Sequence, residues 1–174
     1  VHYCASCDAF LYKGQPVAVV GGGNSGLEAA IDLAKIDCKV DLIELQDRLM
    51  GDEYLQDRVN NNKNITVHTS TTVDEINGED KLESVVIKNV KDDSTQKLDI
   101  NGLFIEIGLI ANSDFVSDLV ETNKQKEIII NEKNETGVER IWAAGDVTNI
   151  IDKQIITSAA EGAKAALRVN QYLG

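Results

Sequence analysis

Long apolar runs are missing from these 174 residues. Nothing approaches the roughly 20 consecutive apolar positions that a helix needs to cross a bilayer, so no membrane span is predicted. The first residues carry no basic-then-apolar signal pattern either, and a cytoplasmic setting is expected. Positive charge is scarce: 17 Lys and Arg stand against 29 Asp and Glu, for a formal net charge of −12. That balance argues against nucleic acid as a partner, because phosphate binding needs clustered Lys and Arg. Cysteine is sparse as well. Three in a chain of this length do not make a secreted disulfide scaffold. Proline occurs once, as Pro16, at a predicted strand start where its missing N–H does least harm. No internal repeat or low-complexity segment stands out.

Against this plain background two motifs follow each other closely. Tyr3-Cys4-Ala5-Ser6-Cys7-Asp8 is a Cys-x-x-Cys pair, and Val17 to Gly26 reads as an apolar strand running into Gly21-Gly22-Gly23-Asn24-Ser25-Gly26. In that second motif Gly21, Gly23 and Gly26 hold the three positions of G-x-G-x-x-G. The first permits a tight turn, the second lets the backbone approach a pyrophosphate, and the third lets the helix lie close to the strand. Phosphates would sit at the positive end of a helix starting near Asn24. Such a glycine turn can also be purely structural. Here Leu27, Ala30, Ile31 and Ala34 recur at helical spacing behind it. A second strand, Val40 to Ile43, ends on the acid Glu44, near the spacing expected for a ribose 2′-hydroxyl contact. A carboxylate there favours NADH over NADPH, since it repels a 2′-phosphate and only Arg48 lies nearby to offset it.

Cys4 and Cys7 could be a redox pair, half of a zinc site, or two buried thiols. Zinc usually takes four ligands. Only Cys38, His2 and His68 remain as further candidates, each isolated, so no metal site is expected. Asp8, next to Cys7, could shuttle a proton during disulfide exchange, or could merely cap a helix. Cys38 reads as structural.

The coarse pattern is α/β: a Rossmann-like βαβ unit over residues 16–44, then a helix from Glu53 to Asn62 and a strand from Ile65 to His68. An antiparallel meander or hairpin insertion follows, with strands at Thr72 to Ile76, Leu82 to Asn89 and Gln96 to Ile100. The texture changes between Leu103 and Gly108, and the division is placed there, with domains at 1–104 and 105–174. Beyond it come a short helix near Asp114 to Leu119, strands at Glu127 to Ile130 and Arg140 to Ala143, and a helix from Ile155 to Tyr172. The small residues Ala159, Ala160, Gly162, Ala163 and Ala166 of that helix read as a close-packing face.

Taken in order, these motifs resemble the class II flavoprotein disulfide reductases, the family that includes low-molecular-weight thioredoxin reductase and the flavoprotein component of alkyl hydroperoxide reductase. The resemblance runs from Tyr-Cys-x-x-Cys-Asp through Gly-Gly-Gly-Asn-Ser-Gly-x-Glu-Ala-Ala to Ala-Ala-Gly-Asp and Lys-Gln-Ile-Ile-Thr-Ser-Ala-x-Glu-Gly-Ala. Gly26 followed by Glu44 is similar to the hydroperoxide reductase flavoprotein. Thioredoxin reductases typically have Ala and an arginine-rich stretch at those places.

The resemblance implies an enzyme that passes hydride from NADH through FAD to a Cys4–Cys7 disulfide. Cys7 would face the flavin, Cys4 would attack the partner's disulfide, and Asp8 would donate the proton. It further implies that residues 105–174 are the C-terminal part of an FAD domain, with Gly145 and Asp146 at the ribityl chain and Lys153, Gln154 and Ile155 at the isoalloxazine. The partner would be a thioredoxin-like domain or a peroxiredoxin disulfide, and the parent a homodimer. An NADPH-dependent thioredoxin reductase and a non-catalytic nucleotide-binding module are the alternative readings. Ala9 departs from the glycine common after Cys-x-x-Cys-Asp. The family's first half, with its own glycine motif for the FAD adenylate, has no counterpart here, so the chain is expected to be a fragment that holds FAD poorly.

Overall fold

A computed structural model describes residues 1–174. The chain divides into two compact units, Val1–Gly108 and Leu109–Gly174, so the division falls after Gly108 rather than after 104.

The first unit is built on β1 (Pro16–Val20), which lies inside a four-stranded parallel sheet. Its neighbours are β2 (Lys39–Ile43) and β7 (Gly102–Ile105), while β3 (Ile65–His68) pairs on the far side of β2, giving the order β3-β2-β1-β7. Both faces of β1 are covered, which is why it is apolar throughout and does not alternate. Val17 and Val19 point into one cluster with Leu27, Ile31 and Leu33 of helix α2 (Asn24–Lys35) and with Leu55 and Val59 of helix α3 (Glu53–Asn60). Ala18, between them, points to the opposite face. There it meets Val85, Ile87 and Leu98 from a three-stranded antiparallel sheet made of β4 (Thr71–Asn77), β5 (Ser84–Asn89) and β6 (Thr95–Asp99). Helices thus cover one face of the parallel sheet and the meander covers the other. This is the α/β arrangement that the alternation of periods predicts.

The strand β7 has no clear signature in the sequence. Its four residues look like the edge of a new domain, yet Val17 pairs with Gly102 and Val20 with Ile105 in register, so the chain returns after the meander to complete the first sheet. A short helix α1 (Ala5–Asp8) and a 3₁₀ turn (Ala9–Tyr12) precede β1.

In the second unit the expected strands at 127–130 and 140–143 do not form. Ile128 makes single bridges to Thr122 and Thr148, and Trp142 makes one to Glu135. Lys126, Asn134 and Arg140 take positive φ and so turn the chain before a ladder can extend. The expected helix near 114–119 is a single 3₁₀ turn, Asp114–Val116. The closing helix α4 (Ile155–Leu173) is as predicted, with Gln154 and Thr157 forming a capping box at its start. Its small residues Ala159, Ala160, Gly162, Ala163 and Ala166 are all exposed, so the close-packing face expected there has no partner within this chain. Ile155, Ile156 and Leu167 are exposed as well.

Leu33 sits on α2 with no accessible surface. Leu33→Ala should lower the stability of the first unit by about 3 kcal/mol, the usual range for a cavity in a tight core, as read from the urea midpoint.

Candidate functional site

The glycine motif closes the gap between β1 and α2, and its crowding explains each glycine differently. Gly21 has φ +121°, and a Cβ there would meet the Glu106 carbonyl oxygen at 2.3 Å. A Cβ on Gly26 would meet the Gly21 carbonyl oxygen at 1.8 Å, so the first turn of α2 lies against the end of β1 with no space for a methyl group. At Gly23 nothing lies within 4 Å of an added Cβ. That open space stands above the N-terminal turn of a 12-residue helix, which suits a pyrophosphate held by backbone N–H groups. Asn24 and Ser25 serve the loop itself. The Asn24 amide donates to the Asp52 carboxylate (3.1 Å) and accepts from the Asp52 N–H (2.7 Å), while the Ser25 hydroxyl donates to the Glu106 carbonyl (3.3 Å).

Glu44 follows β2 and is 8% exposed. Its two carboxylate oxygens accept from the Gly22 N–H (2.5 Å) and the Gln46 N–H (2.6 Å), so the acid is tied directly to the glycine loop. Each oxygen keeps a further lone pair for a ribose hydroxyl.

Cys4 and Cys7 are joined as a disulfide across α1. Cys4 is half-buried and Cys7 exposed. Glu106 lies one residue past the end of β7, and its carboxylate accepts from the Ala5 N–H at 3.3 Å. Burial pushes this carboxyl up from the ordinary range. Through its side chain Glu106 holds the dithiol helix, and through its carbonyl it seats Gly21 and Ser25. Sequence reasoning missed it. The available signal was a lone acid inside the apolar run Leu103-Phe104-Ile105-Glu106-Ile107. Asp8 is bound as well, by the His2 ring at 2.8 Å. The third thiol, Cys38, is buried, donates to the Tyr12 carbonyl at 3.0 Å, and is shifted up by that burial.

In the second unit, Gly145 turns with φ +82°, and Asp146 beside it accepts from the Ser158 hydroxyl at 2.6 Å. Lys153 is largely buried. Its ammonium reaches the carbonyls of Thr148 (2.7 Å) and Asp146 (3.0 Å) and the Glu127 carboxylate (2.8 Å), which holds the Glu127 carboxyl below its usual range. Those three acceptors take all its donors, so Lys153 closes the Gly145–Thr148 turn, and only its stem and backbone remain for a ligand. A cavity of about 210 Å³ lies beside it, lined by Leu109, Ile110, Asn112, Asp146 and Val147 among others. The exposed Gln154 and Ile155 stand at the start of α4. A turn with a carboxylate, beside a cavity lined by both apolar and polar residues and near a helix N-terminus, offers the polar groups that a flavin's ribityl chain would need.

The model of the pyridine nucleotide-disulphide oxidoreductase family matches residues 1–166. The chain belongs to that family. Among relatives, it is 42% identical over 173 residues to the F subunit of alkyl hydroperoxide reductase from Staphylococcus aureus (strain NCTC 8325 / PS 47), covering 99% of this chain and 34% of that protein. Identity is also 42% to a protein named NADH dehydrogenase from Ferdinandcohnia aciditolerans, over 99% of this chain and 33% of that one. Among solved structures, thioredoxin reductase from Streptococcus pyogenes MGAS5005 superposes with a TM-score of 0.88 at 35% identity, covering 98% of this chain and 56% of that one. The chain thus spans about a third of the curated relatives it matches. Within this oxidoreductase family the chain's glycine loop, dithiol and parallel sheet form one coherent unit.

Gly23→Ala separates fold from binding, because its Cβ would enter the open space and touch no protein atom. The melting temperature should stay within about 2 °C, while affinity for a nicotinamide dinucleotide measured by calorimetry should fall at least about tenfold, near 1.4 kcal/mol.

Proposed function

We propose that this chain is the nicotinamide-binding and dithiol part of a flavoprotein disulfide reductase that uses NADH to reduce the disulfide of a thioredoxin-like domain or peroxiredoxin. The observation that carries this reading is Glu106: one residue supports the glycine loop with its carbonyl and the Cys4–Cys7 helix with its carboxylate. NADH and FAD, when bound, would supply the hydride and carry its two electrons to the disulfide. The names of the relatives in Staphylococcus aureus and Streptococcus pyogenes, a hydroperoxide reductase component and a thioredoxin reductase, support the same chemistry.

The residues of the chain take the following roles in this reading. Gly23 and the first turn of α2 bind the pyrophosphate, Gly21 and Gly22 shape the loop beneath it, and Glu44 orients the adenosine ribose. Asp146 and the Gly145 turn, with Gln154 and Ile155 at the start of α4, hold the flavin. Once reduced, Cys4 attacks the partner's disulfide and forms a mixed disulfide. Cys7 then displaces it, closing the Cys4–Cys7 bond again and leaving the partner as a dithiol. Asp8 gives a proton to the departing sulfur. Two electrons leave the pair and two enter the partner, so the exchange balances.

The buried Glu44 carboxylate, fixed to Gly22 and Gln46, supports NADH as the donor, because a 2′-phosphate would meet a negative charge that cannot swing away. Titrating both nucleotides against the chain should show NADH at least about tenfold tighter, a difference near 1.4 kcal/mol. Equal affinities, or tighter NADPH, would favour the thioredoxin reductase reading instead. Separately, the chain reduced by dithiothreitol and desalted should convert one equivalent of oxidised thioredoxin to dithiol, and Cys4→Ser should abolish that transfer. Loss of nucleotide binding together with an inert dithiol would refute the proposal.

A further inference from the structure

His2 is held as firmly as a core residue although it lies outside every motif. Its N–H donates to the Leu103 carbonyl and its carbonyl accepts from the Ile105 N–H, both at 2.8 Å, so its backbone extends the parallel sheet past β7. Its ring stacks on Phe104 with centroids 5.1 Å apart and meets the Tyr12 ring edge-on at 5.2 Å. Tyr12 in turn packs edge-on against Phe104 at 5.6 Å. From this cage the two ring nitrogens reach separate partners. Nδ1 lies 2.8 Å from Asp8 Oδ2, and Nε2 lies 2.6 Å from the Tyr12 hydroxyl. The His2 side chain is 18% exposed and that of Asp8 38%.

We infer that His2, steadied by Tyr12, is a positioning residue that holds the Asp8 carboxylate and shares its proton during disulfide exchange. The inference rests on the reading of Cys4 and Cys7 as a redox pair. A carboxylate can only accept, so Nδ1–H donates to Oδ2, and a neutral ring then takes the Tyr12 O–H on Nε2. When the ring is protonated, Nε2–H donates to the same hydroxyl, so Tyr12 satisfies both states. With Oδ2 engaged, Oδ1 keeps its capacity to serve the sulfur. In the exchange step the Cys4 thiolate forms a bond to one sulfur of an outside disulfide. The other sulfur departs with the electron pair of the broken bond. The Asp8–His2 pair, as carboxylate and imidazolium, gives one proton to that sulfur and is left as carboxylate and imidazole, to be recharged from solvent.

The consequence is a dependence on the leaving group. An alkyl thiolate is a poor leaving group and gains from a placed proton as it departs, whereas an aryl thiolate of low pKa leaves readily and gains little. The test mixes the reduced, desalted chain with excess 2-hydroxyethyl disulfide or with 5,5′-dithiobis(2-nitrobenzoate) and follows a single turnover of each. His2→Gln should slow the alkyl reaction about tenfold, a part of the roughly 100-fold or more that a placed general acid supplies, and the aryl reaction by less than about twofold. Tyr12→Phe keeps the ring packing and removes only the hydroxyl. It should slow the alkyl reaction about threefold and spare the aryl one. Should His2→Gln fail to fold, as judged by circular dichroism, the Tyr12 variant decides alone. Equal losses with both disulfides would make His2 a packing residue, and no loss with either would also overturn the inference. A wild-type dithiol inert toward both reagents would refute the redox reading itself, and the inference with it.

Discussion

The first unit is organised by a contact too close for any side chain: the turn of α2 at Gly26 against the carbonyl of Gly21, where a Cβ would come to 1.8 Å. Because the helix start and the strand end touch backbone to backbone, the N–H groups of that turn are held just above the sheet. The carbonyl of Glu106 occupies the neighbouring gap beside Gly21, so β7 cannot move without disturbing the same turn. Glu44, through Gly22, and Glu106, through Gly21 and Ser25, both border this pinch. The glycine loop is held by this steric exclusion together with the hydrogen bonds of Glu44, Asn24 and Ser25.

The dithiol helix is too short to be stable by itself. Four residues cannot repay the cost of helix nucleation. It is fixed at its first residue by Glu106 and at its last, Asp8, by His2, and both anchors stand on or beside β7. One strand therefore carries the disulfide-bearing helix and backs the glycine loop. The burial that raises the Glu106 carboxyl arises from this double duty, since the acid lies inside the joint.

Local patterns are legible in the sequence where a residue's near neighbours decide its state. The apolar run of β1, the helical spacing of Leu27, Ala30, Ile31 and Ala34, and the paired cysteines can all be read there. Residues 102–105 cannot, because a four-residue strand acquires meaning only from pairing with β1 some 85 residues earlier. The strands expected around Ile128 and Trp142 fail for the opposite reason. Their β-branched and aromatic residues suit a strand, but positive-φ turns at Lys126, Asn134 and Arg140 leave room for single bridges only. At the site, the sequence does not show that the Lys153 ammonium also closes the Gly145–Thr148 turn. His2 and Glu106, inconspicuous in the sequence, turn out to hold the dithiol. Their partners lie near in space but carry no motif.

Cys38 gives the molecule a property that neither sulfur of the Cys4–Cys7 pair could provide. Its thiol is enclosed in the core cluster with β2 and α2, donates to the Tyr12 carbonyl and is discouraged from ionising by burial. Buried and slow to ionise, it is a poor target for oxidants and a poor partner for shuffling with the Cys4–Cys7 pair. Under the proposed exchange, electrons would then have a single route out, through Cys4 and Cys7. A third cysteine in the open would turn that single route into a branch, with dead-end bridges among its products.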